Sequence, residues 1–315
     1  MADNTLGKVV LTAALGALAT GIPVPAGAQQ SKFTSGVDMV PLTVTVTDVK
    51  GRPITGLTGD DFTVLEDGVE QPLAFFAAAE VPVDVALMID TSASMRLSLP
   101  VVQKAACALL RTLHAADRGA VVEIKDTVRI PQPLTSDLGQ LEASIQALRA
   151  SGGTALYDGL YVMLKEFERA HQASPDVRRQ ALILLSDGLD NTSHLPADHV
   201  MELTRRVGVS IYVIALQSDA APVPRAEQDE AVLHAEYEMR TVAREAGGRA
   251  FFPKSVSELP AIYDTIAREL ASQYQLGYVP VKRGGDGDFR HVSVRLATNG
   301  LARTRSGYYA AGTPY

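Results

Sequence analysis

Asp90-Thr91-Ser92-Ala93-Ser94 places one carboxylate and two hydroxyls directly after the apolar run Val83-Asp84-Val85-Ala86-Leu87-Met88-Ile89. Oxygens of this kind suit a hard cation. Magnesium takes small oxygen ligands in an octahedron and gives up water reluctantly, so a site with few direct carboxylates leaves it open to an acid from outside. Two further segments carry matching chemistry. In Ser151-Gly152-Gly153-Thr154-Ala155-Leu156-Tyr157-Asp158 the glycines permit a tight turn, and Thr154 offers a hydroxyl where an apolar helical pattern begins. Ala181-Leu182-Ile183-Leu184-Leu185-Ser186-Asp187-Gly188 is an apolar run too short for most helices, and Asp187 closes it as Asp90 closes the first.

Each piece alone has an ordinary explanation. Asp-Thr-Ser after a strand can cap a helix through its side-chain oxygens. Gly152-Gly153-Thr154 can be a turn and cap, and Asp187-Gly188 a turn. Their order favours a shared site, because loops leaving the carboxyl ends of strands in an open parallel sheet gather around one crevice although they are distant in sequence.

With these residues the chain resembles the von Willebrand factor type A domain and its metal-ion-dependent adhesion site, more closely the VWFA-related domain family of secreted bacterial proteins. The resemblance implies that Ser92 and Ser94 ligate a metal directly, that Asp90 and Asp187 do so directly or through water, and that Thr154 is a switchable ligand. It implies Mg2+, or Mn2+ or Ca2+, as cofactor. The remaining coordination position then goes to a Glu or Asp of a protein or other surface partner, and no bond is broken. Segments 47–70 and 303–309 resemble the same family, so the likeness extends beyond the metal loops.

The periodicity predicts the elements that position these loops. Strands are expected at 83–89, 120–124, 127–131, 182–186, 211–216 and 249–252, and helices at 99–115, 138–148, 156–171, 197–207, 230–246 and 258–272. Their alternation predicts an α/β domain at 81–272, a doubly wound, mostly parallel sheet with helices on both faces. The flanks at 29–80 and 273–315 alternate at strand period around turn residues. Neither holds enough strands alone, which predicts a small β-sandwich made by both ends of the chain.

The polar, Pro-containing segment 217–227 should leave its strand on the metal side, where loops set specificity. This makes Asp219 and Arg225, with His194 nearby, candidates for a partner-binding rim. A tolerated insertion explains the segment equally well. His194 and His199 lack a third nitrogen or sulfur ligand for zinc, and Asn191-Thr192-Ser193 reads as a coincidental sequon.

Lys8, the apolar stretch 9–19 and Ala26-Gly27-Ala28 read as a secretory signal over 1–28, although Asp3 is unusual there. The expected address is the periplasm, the cell surface or the extracellular space, with membrane attachment only through an uncleaved signal. The 315 residues are 46% apolar and 21% charged, which is the balance of a globular chain, and the net charge of -7 argues against a general nucleic-acid surface. Cys107 is the only cysteine, so no intrachain disulfide can form, and its Ala and Leu neighbours predict a buried small side chain.

Enzymatic readings fare poorly. A haloacid-dehalogenase-like phosphatase needs a second Asp two residues after the first, where Ser92 stands. The chain holds no Gly-x-Ser-x-Gly elbow and no phosphate-binding glycine loop. Two expectations remain: a non-enzymatic metal-dependent binding module with no small-molecule substrate, or a structural domain that keeps the fold without using the ion.

Overall fold

The alternating N-terminal run forms β1 (Val40–Thr47). It is followed by β2 (Phe62–Glu66) and β3 (Val69–Gln71), joined by Asp67-Gly68 with both residues at positive φ, the turn that matches the twist of a two-residue hairpin. β4 (Leu73–Ala78) completes this flank. The computed structural model describes residues 39–78, 81–173, 178–187, 190–216, 225–281 and 287–310, so the expected signal segment, Gly188 and Asp219 lie outside the described residues.

The next part alternates strand and helix. In chain order it contains β5 (Val83–Asp90), α1 (Leu99–Leu110), β6 (Arg118–Ile124), β7 (Val128–Thr135), α2 (Leu138–Ala147), α3 (Leu156–Ala173) and β8 (Arg179–Ser186). It continues through α4 (Ala197–Val207), β9 (Ser210–Ala215), α5 (Arg225–Glu245), β10 (Arg249–Phe251) and α6 (Leu259–Ser272). The sheet order is β10-β9-β8-β5-β6-β7, parallel except at the β6–β7 edge. β5 is buried along its whole length, and its side chains alternate between two cores. Val85, Leu87 and Ile89 pack with residues of α1, α2 and α6, while Ala86 and Met88 pack with residues of α3, α4 and α5. Cys107 is buried in the first of these cores.

The chain leaves β5 toward β6 on one side and returns to β8 on the other, so strand order reverses at β5. At such a switch point the connecting loops part and leave a crevice at the strand carboxyl ends. Asp90 and Ser186 terminate the two strands that meet there.

The final strands are β11 (Tyr274–Tyr278), β12 (Phe289–Leu296), β13 (Leu301–Arg303) and β14 (Gly307–Tyr309). They interleave with the N-terminal ones in two four-stranded sheets, β13-β1-β11-β4 and β14-β12-β2-β3. Both sheets feed a third core, in which Leu42, Val44, Phe62, Val64, Leu276, Tyr278 and Val292 pack together. The rings of Phe62 and Tyr274 lie 5.1 Å apart, with Phe76 against both. The expected sandwich of both ends is therefore present. Buried polar contacts tie it to the α/β layer: Gln273 Nε2 reaches both Thr45 Oγ1 and Tyr212 OH at 3.3 Å, and Arg303 pairs with the fully buried Glu269.

Some boundaries differ from expectation. β4 escapes the pattern because Leu-Ala-Phe-Phe-Ala-Ala neither alternates nor carries β-branched residues, and it forms only by pairing with β11. The strand-like run near the C-terminus is two strands, since Thr304 to Ser306 cross from the β1 sheet to the β12 sheet. α5 starts at Arg225, so part of the segment read as loop is helix, consistent with the helix-favouring Ala226, Glu227 and Gln228. α1 stops at Leu110, five residues short of its expected end at 115.

Removing 273–315 deletes β11, which lies between β1 and β4. The truncated chain is predicted to lose protection of β1 to β4 in hydrogen exchange, while Leu276→Ala in the full chain lowers stability by about 2–4 kcal/mol in chemical unfolding. An N-terminal half that keeps its protection without β11 contradicts this organisation.

Candidate metal site

Asp90 is fully buried at the end of β5, and both of its carboxylate oxygens are engaged. Oδ1 accepts the backbone N–H of Ser92 at 2.7 Å. Oδ2 accepts the hydroxyl of Ser186 at 2.5 Å and that of Thr154 at 3.4 Å. One side chain thus gathers all three segments. The backbone joins them as well: Ser151 N donates to Thr91 O at 2.7 Å, Ala93 N to Gly152 O at 3.0 Å, and Thr91 N to Ile124 O at 2.9 Å.

A second chain of oxygens runs outward from this floor. Ser92 Oγ and Ser94 Oγ are 2.9 Å apart, and Ser94 Oγ donates to Asp187 Oδ1 at 2.9 Å. A short 3-10 turn, Ala93–Arg96, begins after Ser92, yet the Ser92 hydroxyl makes no capping bond to it. The ordinary helix-cap explanation therefore does not account for Ser92. Asp90, Ser92 and Thr154 are buried, Asp187 is half-buried and Ser94 is exposed, so the cup has a closed floor and an open lip.

The electrostatics of the cup favour a cation. Burial raises the Asp90 carboxyl above its ordinary value despite the hydrogen bonds from Ser186, Ser92 and Thr154. Burial also raises Asp187, and repulsion by Asp90 adds to it, partly offset by the bond from Ser94. The Asp90 carboxylate thus disfavours charge on Asp187, a repulsion that a bound divalent ion would relieve. The spacing fits as well, because two oxygens bound side by side to magnesium at its usual distance lie about 2.9 Å apart. That is the separation of Ser92 from Ser94, and of Ser94 from Asp187. No group of three His, Cys, Asp or Glu able to hold a metal is found among the described residues.

Several residues that complete the site were not singled out from the sequence. Asp126, in the β6–β7 turn, accepts Gly153 N at 2.7 Å. Gly152 has φ +76, and a Cβ there would stand 2.1 Å from Asp126 Oδ2, so this position requires glycine. Asn191 Oδ1 accepts Thr154 N at 2.9 Å, and its own N–H returns to Thr154 O at 3.1 Å. Asp190 Oδ2 accepts Tyr157 N at 2.9 Å at the start of α3. The available signal was the density of short polar side chains after Asp187.

Of the rim candidates, His194 is exposed and joined to Asp158, its ring nitrogen 3.0 Å from the carboxylate. Arg225 is the first residue of α5. Burial raises Asp158, but N–H groups of His194 and Leu195 and the His194 ring outweigh it, leaving the carboxyl below its usual value.

Residues 85–189 match the model of the von Willebrand factor type A domain. No curated protein matches the chain in sequence. Similar solved structures include a von Willebrand factor type A protein from Catenulispora acidiphila, at 15% identity and TM-score 0.51 over 89% of this chain and 76% of that one. Another is the vWF domain of the type V pili tip protein Mfa5 from Porphyromonas gingivalis, at 16% identity and TM-score 0.47 over 60% and 94%. A third is proximal thread matrix protein 1 from the mussel byssus with a zinc-occupied MIDAS motif, at 18% identity and TM-score 0.48 over 65% and 49%.

Two predictions follow from the loop geometry. Gly152→Ala is expected to cost about 1–3 kcal/mol in chemical unfolding through the strained φ and the Asp126 clash, and an unchanged midpoint contradicts the packing described. Because the Asp158 carboxyl is depressed, its contribution to stability is present above the ordinary carboxylate range and is lost as the pH falls through its lowered value. Asp158→Asn should remove that part of the acid limb of the stability profile; an identical profile would show that the contact contributes nothing. Residues 85–189 thus resemble a von Willebrand factor type A domain, and the α/β layer shares the fold of the Catenulispora acidiphila protein.

Proposed function

We propose that Asp90, Ser92, Ser94, Thr154 and Asp187 form a metal-ion-dependent adhesion site and that the chain is a divalent-metal-dependent binding module for adhesion or assembly. The observation that carries this reading is the convergence of three sequence-distant loops on one oxygen cup, with Ser92, Ser94 and Asp187 spaced at 2.9 Å along its lip. A bound Mg2+, Mn2+ or Ca2+ would supply an electrophilic point of attachment for a carboxylate of a protein or other surface ligand.

The chain's own residues divide the work. Asp90 holds the loops together from below, through Ser92 N, Ser186 and Thr154. Ser92 and Ser94 present hydroxyl oxygens, which bring no charge of their own and so leave a cation undersaturated toward an incoming acid. Asp187 adds one carboxylate at the open side. Thr154 stands 3.4 Å from Asp90 on a loop held by Asn191, and a small shift of that loop would add or withdraw its hydroxyl. The role is binding without bond cleavage. The N-terminal pattern of Lys8, apolar 9–19 and Ala26-Gly27-Ala28 supports export. No helix among the described residues is long and apolar enough to cross a membrane.

Titration of the purified protein with Mg2+ and Mn2+ tests the reading. At a hundred times Kd the ion should stabilise the wild type by about 2.7 kcal/mol, and Asp90→Ala and Ser92→Ala should abolish this while remaining folded. Asp187→Asn should leave the metal-free protein at least as stable as the wild type, because it removes a charge that partial burial and Asp90 disfavour, and should also lose the metal response. Wild type and variants responding equally would instead favour a scaffold that keeps the fold without using an ion.

A further inference from the structure

A cleft of about 740 Å³ opens between β7 and α2, lined by Glu123, Lys125, Arg129 and Ile130 from the sheet edge and by Ser144 and Arg149 from the helix side. It adjoins the oxygen cup. Thr91, between Asp90 and Ser92, directs its hydroxyl to Glu123 Oε1 at 3.2 Å. Arg149 lies two residues before Ser151, whose N–H is bonded to Thr91 O.

The charges in this cleft are unbalanced. Lys125 neutralises Glu123 at 2.8 Å. Arg129 is exposed, stands opposite Glu123 in strand register, and forms no ion pair among the described residues. Arg149 is exposed and, among the described residues, bonds the Gln146 and Leu148 carbonyls at the end of α2 and no carboxylate. The Ser144 hydroxyl is shielded from solvent and has no hydrogen-bond partner among the described residues. Two guanidiniums without carboxylates and one idle hydroxyl therefore share a concave surface beside the proposed metal. Pro131 and Pro133 deprive β7 of two N–H donors, which makes it a poor template for an added strand and leaves recognition to side chains. The residues lining the cleft include no aromatic ring on which a sugar could stack.

We infer that this cleft is a second recognition site for the same partner, and that the partner is a peptide segment with at least two acidic side chains, one for the metal and one or more for Arg129 and Arg149. This rests on the metal-site reading and specifies its ligand class. Guanidinium and carboxylate pair through two parallel hydrogen bonds, so the cleft would add both affinity and register.

Two synthetic peptides serve as probes: acetyl-hexaglutamate amide, which spans about 20 Å when extended, and acetyl-Gly-Gly-Glu-Gly-Gly amide. Binding is measured in Mg2+ at low salt, with Mg2+ affinity determined separately for each protein. The wild type should bind hexaglutamate at least about thirtyfold more tightly than the single-acid peptide, well beyond the about sixfold that six equivalent carboxylates give by statistics. Arg129→Gln/Arg149→Gln should cut that preference to about the statistical factor while keeping Mg2+ affinity and the weaker single-acid binding. A preference above the statistical factor that survives the double variant, or is absent from the wild type, overturns the proposal while leaving the metal site standing. Loss of Mg2+ binding in the wild type itself sinks both. Hexagalacturonate binding as tightly as hexaglutamate, with the same dependence on the arginines, would overturn the peptide assignment.

Discussion

The buried carboxylate of Asp90 is the constraint on which the upper face of the molecule depends. A charge placed at zero exposure must be compensated, and here it is met by one backbone N–H and two hydroxyls from three different segments. Compensation and assembly are therefore the same act: satisfying Asp90 brings β5, the glycine loop and β8 to a common point. The bonds from Ser151 to Thr91 and from Ala93 to Gly152 then hold two of these loops in register without using the oxygens of Ser92 and Ser94. Those hydroxyls instead join each other and Asp187.

The scaffold makes that geometry possible. Because strand order reverses at β5, its carboxyl end faces an open crevice bounded by β8 on one side and β6 on the other. Two cores, one on each face, fix β5 in position, and apolar burial of this extent is the main force that offsets the cost of charges at the rim. The sandwich secures the opposite part of the chain: α6 leads through the single residue Gln273 into β11, and Glu269 on that helix pairs with Arg303 of β13. The last helix is thereby fastened to the sandwich by the chain and by an ion pair.

Much of the architecture was legible in the sequence because its signals are periodic. Fully buried parallel strands leave unbroken apolar runs, as at 181–185, and helices leave amphipathic ones, as at 197–207. The flank strands alternate well enough to be found, and their small number forces them to combine. Signals failed where pairing rather than composition decides, at β4 and at the crossing from β13 to β14. At the site, Asp90, Ser92, Ser94, Thr154 and Asp187 stand out by type and position, and the structure brings them together. Ser186, Asp126 and Asn191 do not stand out, because they act by holding other residues' backbone or side chains, and such roles depend on neighbours far away in sequence.

The proposed ion binding rests on an oxygen cup with a closed floor and an open lip. Anomalous diffraction from a crystal soaked in Mn2+ addresses this most directly. The account predicts a single strong peak within bonding distance of Ser92 Oγ and Ser94 Oγ, between Thr154 and Asp187. A soaked crystal with no peak in the cup, or with manganese bound only at other carboxylates such as Asp158 or Asp190, would contradict it.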